Sequence, residues 1–413
     1  MRSQLYKIFD RLRSSYWFIP SIMALAATAL SVSAVQFDRT LGYEFSPEQR
    51  WIYTGGAEGA RAVLSTIAGS VITVAGTTFS ITVAALSLAS AQFGPRLLRN
   101  FMRDTGNQVV LGTFTATFLY CVMVLRTVRG LDESTYVPHV SITVAIVLAV
   151  ASVGVLIYFI HHVAESIQVS HIIEVAGREL DAALSTLFPE RAGEPDPANG
   201  SPDLPHEPGA PVIAESHGYV LAIDQGTLLS IATRNEVTLR VTLRPGDYCL
   251  PGSSMVFAQP ALPPDAEAEV RRAFALGITR TSHQDAVFAF LQLAEVALRA
   301  LSPGVNDPFT AIMCIDRITA AMSILEGRAL PQAARSDETG TVRLIAHPYS
   351  YHDLVEAAYR HIREAASGHW QVQRHLCRNL QALLERTKEP ALRLALSREL
   401  ARVPMTTPHG SES

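Results

Sequence analysis

Thirteen histidines, four cysteines and 38 carboxylates are scattered through the 413 residues without the spacings that build a reactive centre. There is no GxSxG elbow, Walker loop, HExxH pair, or GxGxxG set between a strand and a helix. His161 and Glu165 stand one helical turn apart, but a metal needs three or four ligands in fixed geometry, and this stretch offers two. Cys121, Cys249, Cys314 and Cys377 lie far apart with no CxxC, which excludes a cysteine-only zinc ribbon and gives no disulfide framework. Asp285, Asp307, His347 and His352 have no spacing that assigns them roles. The sequence therefore leans away from catalysis and implies no metal and no cofactor.

The spacing that does stand out belongs to small and hydroxylic residues. Residues 62–91 hold ten hydroxyls, among them Ser65, Thr73, Ser80 and Ser87. Small side chains recur at Ser65, Gly69, Thr73, Gly76, Ser80, Ala84 and Ser87, in steps of three and four that keep them on one helical stripe. Such a stripe lets backbones approach closely in lipid, or lines a water-filled path between copies of the chain. Both readings turn it toward protein. No carboxylate, His or Lys lies within the span, which weighs against a proton relay or ion-coupled pump. Gly94-Pro95 then breaks the helix, and Arg96, Arg99 and Arg103 follow. These cations either hold anionic lipid or ring the cytoplasmic mouth of a pore. In the second half, Asn306-Asp307-Pro308 reads as a turn plus helix cap, and as a contact for a ligand or neighbouring subunit.

The elements that must position these residues follow from composition. The chain is 48% hydrophobic and only 17% charged, against about 25% charge in ordinary soluble domains. Its net charge is −4 with no long basic run, which argues against a nucleic-acid partner. Four stretches are long and apolar enough to cross a bilayer core of about 20 residues: 17–35, 62–91, 109–128 and 140–160. Arg2, Lys7, Arg11 and Arg13 precede the first and three arginines fill the second connection, so the positive-inside rule places both termini in the cytoplasm. A cleaved signal peptide is the rival reading of the first stretch and would leave three spans.

Residues 165–188 read as a helical extension, and 189–211 as a linker rich in Pro and Gly. Short β-like runs at 219–223, 228–232, 237–243 and 255–258 suggest a small β-barrel or sandwich module over 212–262. A helical subdomain follows over 263–405, with a disordered tail at 406–413. In it Ser282 looks like a cap with Asp285 three residues on, and Asp307 caps the next helix. The fold class is thus a membrane domain of four transmembrane helices (1–164), then a cytoplasmic α+β region.

The strings TTFSITVAALSLASAQFGPRLLRNF (77–101), GYVLAID (218–224), PGDY (245–248) and QDAVFAFLQLAEVALRALSPGVNDPFTAIMCID (284–316) together resemble a large bacterial family of predicted integral membrane proteins, a domain of unknown function. The resemblance covers nearly the whole chain. It implies four spans plus a cytoplasmic domain and carries no activity, substrate or catalytic residue. The expectation is a multi-pass protein of the bacterial inner membrane whose partners are the bilayer and copies of itself. Its second helix would pack at the subunit interface of a channel-like or pore-forming homo-oligomer. The alternatives are a non-conducting scaffold or sensor with a partner-binding cytoplasmic domain, and a membrane-bound enzyme.

Overall fold

The computed structural model describes residues 17–41, 53, 55–93, 104–129, 136–190 and 209–404. The chain divides into two units, Met1–His171 and Ile172–Ser413.

The first unit is helical. Its helices are α1 (Phe18–Leu41), α2 (Ala57–Phe93), α3 (Thr105–Leu125) and α4 (His139–Ser166). All four are long and apolar enough to cross a membrane. At 37 residues α2 is about 55 Å long, well over a hydrocarbon core of about 30 Å. The hub is α3, which packs on α1, α2 and α4. Its buried Phe114, Tyr120, Cys121 and Val124 fill the centre. Gly112 lets α1 come close, since a Cβ there would meet Met23 Sδ at 2.5 Å and Pro20 Cα at 3.2 Å.

Polar groups at the helix ends tie the unit together. Asp38 near the end of α1 accepts from the Val140 and Ser141 amides and the Ser141 hydroxyl, so it supplies the missing partners of the first turn of α4. Tyr136 donates to Val35 O, and Arg61 donates to Val128 O beyond α3. At the other end Asp104 caps α3 through the Gly106 amide and pairs with His162 of α4. Helix ends that meet in this way alternate in direction along the chain.

After α4 the helix does not continue unbroken as expected. Ile167-Gln168 interrupts it, and α5 (Val169–Leu187) follows.

The second unit mixes sheet and helix. Its strands are β1 (Ala210–Ile213), β2 (Gly218–Ile223), β3 (Thr238–Val241), β4 (Tyr248–Cys249), β5 (Ser254–Gln259), β6 (Phe274–Gly277), β7 (Ala334–Ser336) and β8 (Val342–Ile345). They form a sheet of order β1-β5-β3-β8-β7 and another of order β4-β2-β6. Of the expected barrel or sandwich, the strands form two sheets, and β6, β7 and β8 come from outside the expected 212–262 module. Most pairs are antiparallel, but β8 joins β3 in parallel, with Leu239 opposite Leu344. Val212, Val220, Leu228, Leu239, Val256 and Leu344 share one core.

The helices are α6 (Gln225–Arg234), α7 (Pro264–Arg272), α8 (Ala286–Ala300), α9 (Pro308–Ile324), α10 (Tyr351–Ala365), α11 (Trp370–Arg386) and α12 (Pro390–Ala401). Two of them correct the sequence reading. Residues 228–232 are helix rather than strand, because Asp224 caps α6 through the Thr227 amide and Leu228, Ile231 and Ala232 share one helical face. The cap of α8 is Asp285, which accepts from the Phe288 amide, and not Ser282. α8 is apolar around most of its circumference and buries Phe288, Phe290, Leu293 and Val296, as a core helix must. α9, with the turn after it, is a fifth helix long and apolar enough to span a membrane, although it buries Cys314, Ile315, Ile318 and Met322 in this unit.

Candidate functional site

On α2 the face turned to the other helices is Ala60, Leu64, Ala68, Val71, Ala75, Thr78, Thr82 and Ala85, all buried. The stripe of Ser65, Gly69, Thr73, Gly76, Ser80, Ala84 and Ser87 is exposed along its whole length. At 100° per residue it lies roughly half a turn from the buried face. A Cβ added at Gly69 or Gly76 would meet nothing within 4 Å. Of the apolar residues off the stripe, which suit lipid or an apolar neighbour, Ile67, Val71 and Val74 pack inside the unit, and Ile81 and Leu88 are exposed. The stripe hydroxyls bond to their own helix, Ser65 to Ala62 O, Thr73 to Gly69 O and Ser80 to Gly76 O. That arrangement meets their hydrogen-bonding need and leaves a smooth, low-relief surface. Arg96, Arg99 and Arg103 lie outside the described residues.

In the second unit Asp307 works locally. Its Oδ1 accepts from the Phe309 and Thr310 amides at 3.1 Å, and its Oδ2 accepts from the Thr310 hydroxyl at 2.6 Å. The Thr310 hydroxyl holds the carboxyl below its ordinary pKa. Asn306 before it has φ +50 and is exposed, a conformation that Asn tolerates better than most residues.

Sequence reasoning missed the more connected carboxylate. Asp285 is 1% exposed in its side chain and receives Arg280 Nε at 2.8 Å and Nη2 at 2.7 Å on Oδ2. The Phe288 amide and the Tyr349 hydroxyl donate to its Oδ1 at 2.9 and 3.1 Å. Burial pushes its pKa up, and the Arg280 guanidinium pulls against that shift. The single Tyr349 proton is shared with Pro245 O, the closer acceptor at 2.6 Å, and Arg244 lies over the Tyr349 ring at 5.2 Å. Arg244 continues to Asp353, which closes a capping box with Ser350 at the start of α10. Gly246 completes the knot. Its φ is +95, and a Cβ there would fall 2.2 Å from Asp285 Oδ2. Pro245-Gly246-Asp247-Tyr248 and Gln284-Asp285 thus meet across 39 residues of sequence. The one available signal was that both strings looked distinctive.

Beside the knot, Pro245, Gln284 and Tyr349 form one wall of a cavity of about 980 Å³. Leu187, Phe188 and Ile223 give it an apolar floor. His283, His347 and Arg335 lie at its edge, and no carboxylate is among its lining residues. Gln225 Oε1, also on the lining, is buried with no hydrogen-bond partner, a state that costs about 1–3 kcal/mol when nothing fills it. Among the described residues no group of three His, Cys, Asp or Glu side chains is placed to hold a metal.

The family described as predicted membrane protein (DUF2254) matches residues 13–382. An uncharacterized protein of Mycobacterium bovis and one of Mycobacterium tuberculosis are each 32% identical, over 96% of this chain and 77% of the relative. No solved structure matches.

Proposed function

The chain belongs to the DUF2254 family of predicted membrane proteins, and from that premise we propose that it works as a channel-like homo-oligomer with α2 at the subunit interface. The observation that carries this reading is the direction of the stripe. Among the described residues of the first unit, its small residues point away from the helices that pack with α2, toward the side where lipid or another copy would meet them. A lipid-facing helix has no need of two glycines and a row of internally bonded hydroxyls, whereas a closely approaching backbone does. Four spans in the inner membrane with both termini cytoplasmic complete the proposal, and Arg96, Arg99 and Arg103 would then stand at the cytoplasmic mouth. Asn306 serves as a second subunit contact; exposed Val305 and Phe309 on either side give it an apolar surround.

A non-conducting sensor is the second reading, favoured by the cavity beside Tyr349. The two separate in one experiment. Cysteines placed at Gly69 and Gly76 in full-length protein, with the four native cysteines replaced, should cross-link between copies in membranes, and the protein should pass current in planar bilayers. Cross-linking without current under voltage, tension and pH change leaves the sensor. Absence of cross-linking together with a monomeric mass in native mass spectrometry overturns the oligomer.

A further inference from the structure

We propose that the cavity of the second unit binds an amphipathic organic anion, a phosphate monoester or carboxylate carried on an apolar body. The inference does not depend on how copies assemble. Its volume of about 980 Å³ is at the upper end of ordinary ligand cavities, far beyond what a few waters need. The floor of Leu187, Phe188 and Ile223 takes an apolar body and nothing polar. The charge at the edge has one sign. Arg335 is exposed on β7 with no ion pair among the described residues, and His283 and His347 add further donors.

The amides refine the fit. Gln284 Oε1 accepts from the Ile223 amide at 3.0 Å, which fixes the orientation of the group and leaves its NH₂ to donate. Gln225 Oε1 is the unpartnered acceptor and matches a hydroxyl or amide on the ligand body. Cationic and amide donors around an apolar floor, with no carboxylate among the lining residues, recognise an anion and repel a cation.

The test uses the full chain in lipid nanodiscs, with empty nanodiscs as blank and calorimetry as readout. The probes are 1-naphthyl phosphate and lysophosphatidic acid, a soluble and a lipid-derived carrier of the same head group. Their uncharged counterparts are 1-naphthol and a monoacylglycerol. At least one anion should bind saturably at one per chain, at least tenfold tighter than its uncharged counterpart. Which anion binds tells the source. Arg335→Gln, at an exposed position that folding does not need, should weaken the anion about tenfold and leave the counterpart unchanged, as expected for a lost charge-assisted contact. Ala334→Phe, which fills the cavity, should abolish binding. The proposal is overturned if neither anion exceeds the blank, if the uncharged counterpart binds equally well, or if both variants bind like the parent.

Discussion

Asp285 and Asp307 begin neighbouring helices with the same chemistry, yet they sit in opposite surroundings. Each offers a carboxylate oxygen to the amides of a first helical turn. Asp307 spends its other oxygen on Thr310 of that same turn, so both its oxygens are engaged within three residues. Asp285 spends its other oxygen on Arg280 and shares Tyr349, which reaches Pro245, so it ties α8 to segments far away in sequence. Solvent follows the wiring: Asp285 is buried and its pKa is raised, while Asp307 is partly exposed and its pKa is lowered. A cap that closes on itself is a local device. A cap that reaches out is a point where a domain is assembled, and it is exposed to every change in its partners.

The largest expected effect comes from taking away the partner that only Asp285 has. Arg280→Met leaves a carboxylate inside the unit with no opposite charge, which should cost about 3 kcal/mol at pH 7. The pH dependence has a definite sign. Asp285 has a folded pKa above its unfolded value, so the native state holds the proton more readily and is favoured as pH falls. Removing Arg280 raises that pKa further, so the deficit should shrink between pH 7 and pH 5. Hydrogen exchange of the α8 amides in the full chain measures it. An undiminished deficit at pH 5 would show that Arg280 acts by packing alone.

Gly246→Ala ranks next. Backbone strain at φ +95 and a Cβ driven against Asp285 together should cost about 2 kcal/mol. Gly252→Ala separates the two causes, because its φ is +82 with open space around it, and strain alone should cost about 1 kcal/mol. Thermal unfolding of the two variants side by side decides whether the approach of the turn to Asp285 is a tight one. Equal losses would reduce the knot to ordinary turn strain.

The same contrast explains what could be read in the sequence. Asp307 was legible as a cap because its partners are its own neighbours and Pro308 marks the first turn. The stripe on α2 was legible because helical period alone aligns it, and the apolar stretches because length and hydropathy are local sums. Asp285 was placed three residues off, since only the fold shows that Arg280 and Tyr349 converge on it. Residues 228–232 passed for a strand because so short a run, apolar except at Ser230, fits either period. β7 and β8 were not legible because β8 is made a strand by pairing with β3, some hundred residues earlier, and β7 by pairing with β8, and local propensity makes neither. The sequence turned the stripe toward protein, but which helices fill the opposite side of α2 was beyond it, because that depends on long-range packing.

The smallest expected effect tests the self-contained cap on its own terms. Asp307→Ala should cost about 1 kcal/mol, the usual loss for a missing N-cap, and should not respond to changes at Arg280. Asp307→Asn keeps an acceptor oxygen in the same place and should cost only a few tenths of a kcal/mol, roughly the difference between good caps. The two forms part in acid. With a folded pKa below its unfolded value of about 3.9, Asp307 contributes fully above that pH and loses its contribution as pH falls through the folded value. Protection of the Phe309 and Thr310 amides should therefore drop below about pH 4 in the parent and stay flat in the Asn variant, while the α8 amides above Asp285 gain protection as pH falls from neutral toward that range and level off below it. If both helix starts lose protection together, the carboxylates are coupled and the division between a local cap and a reaching one fails.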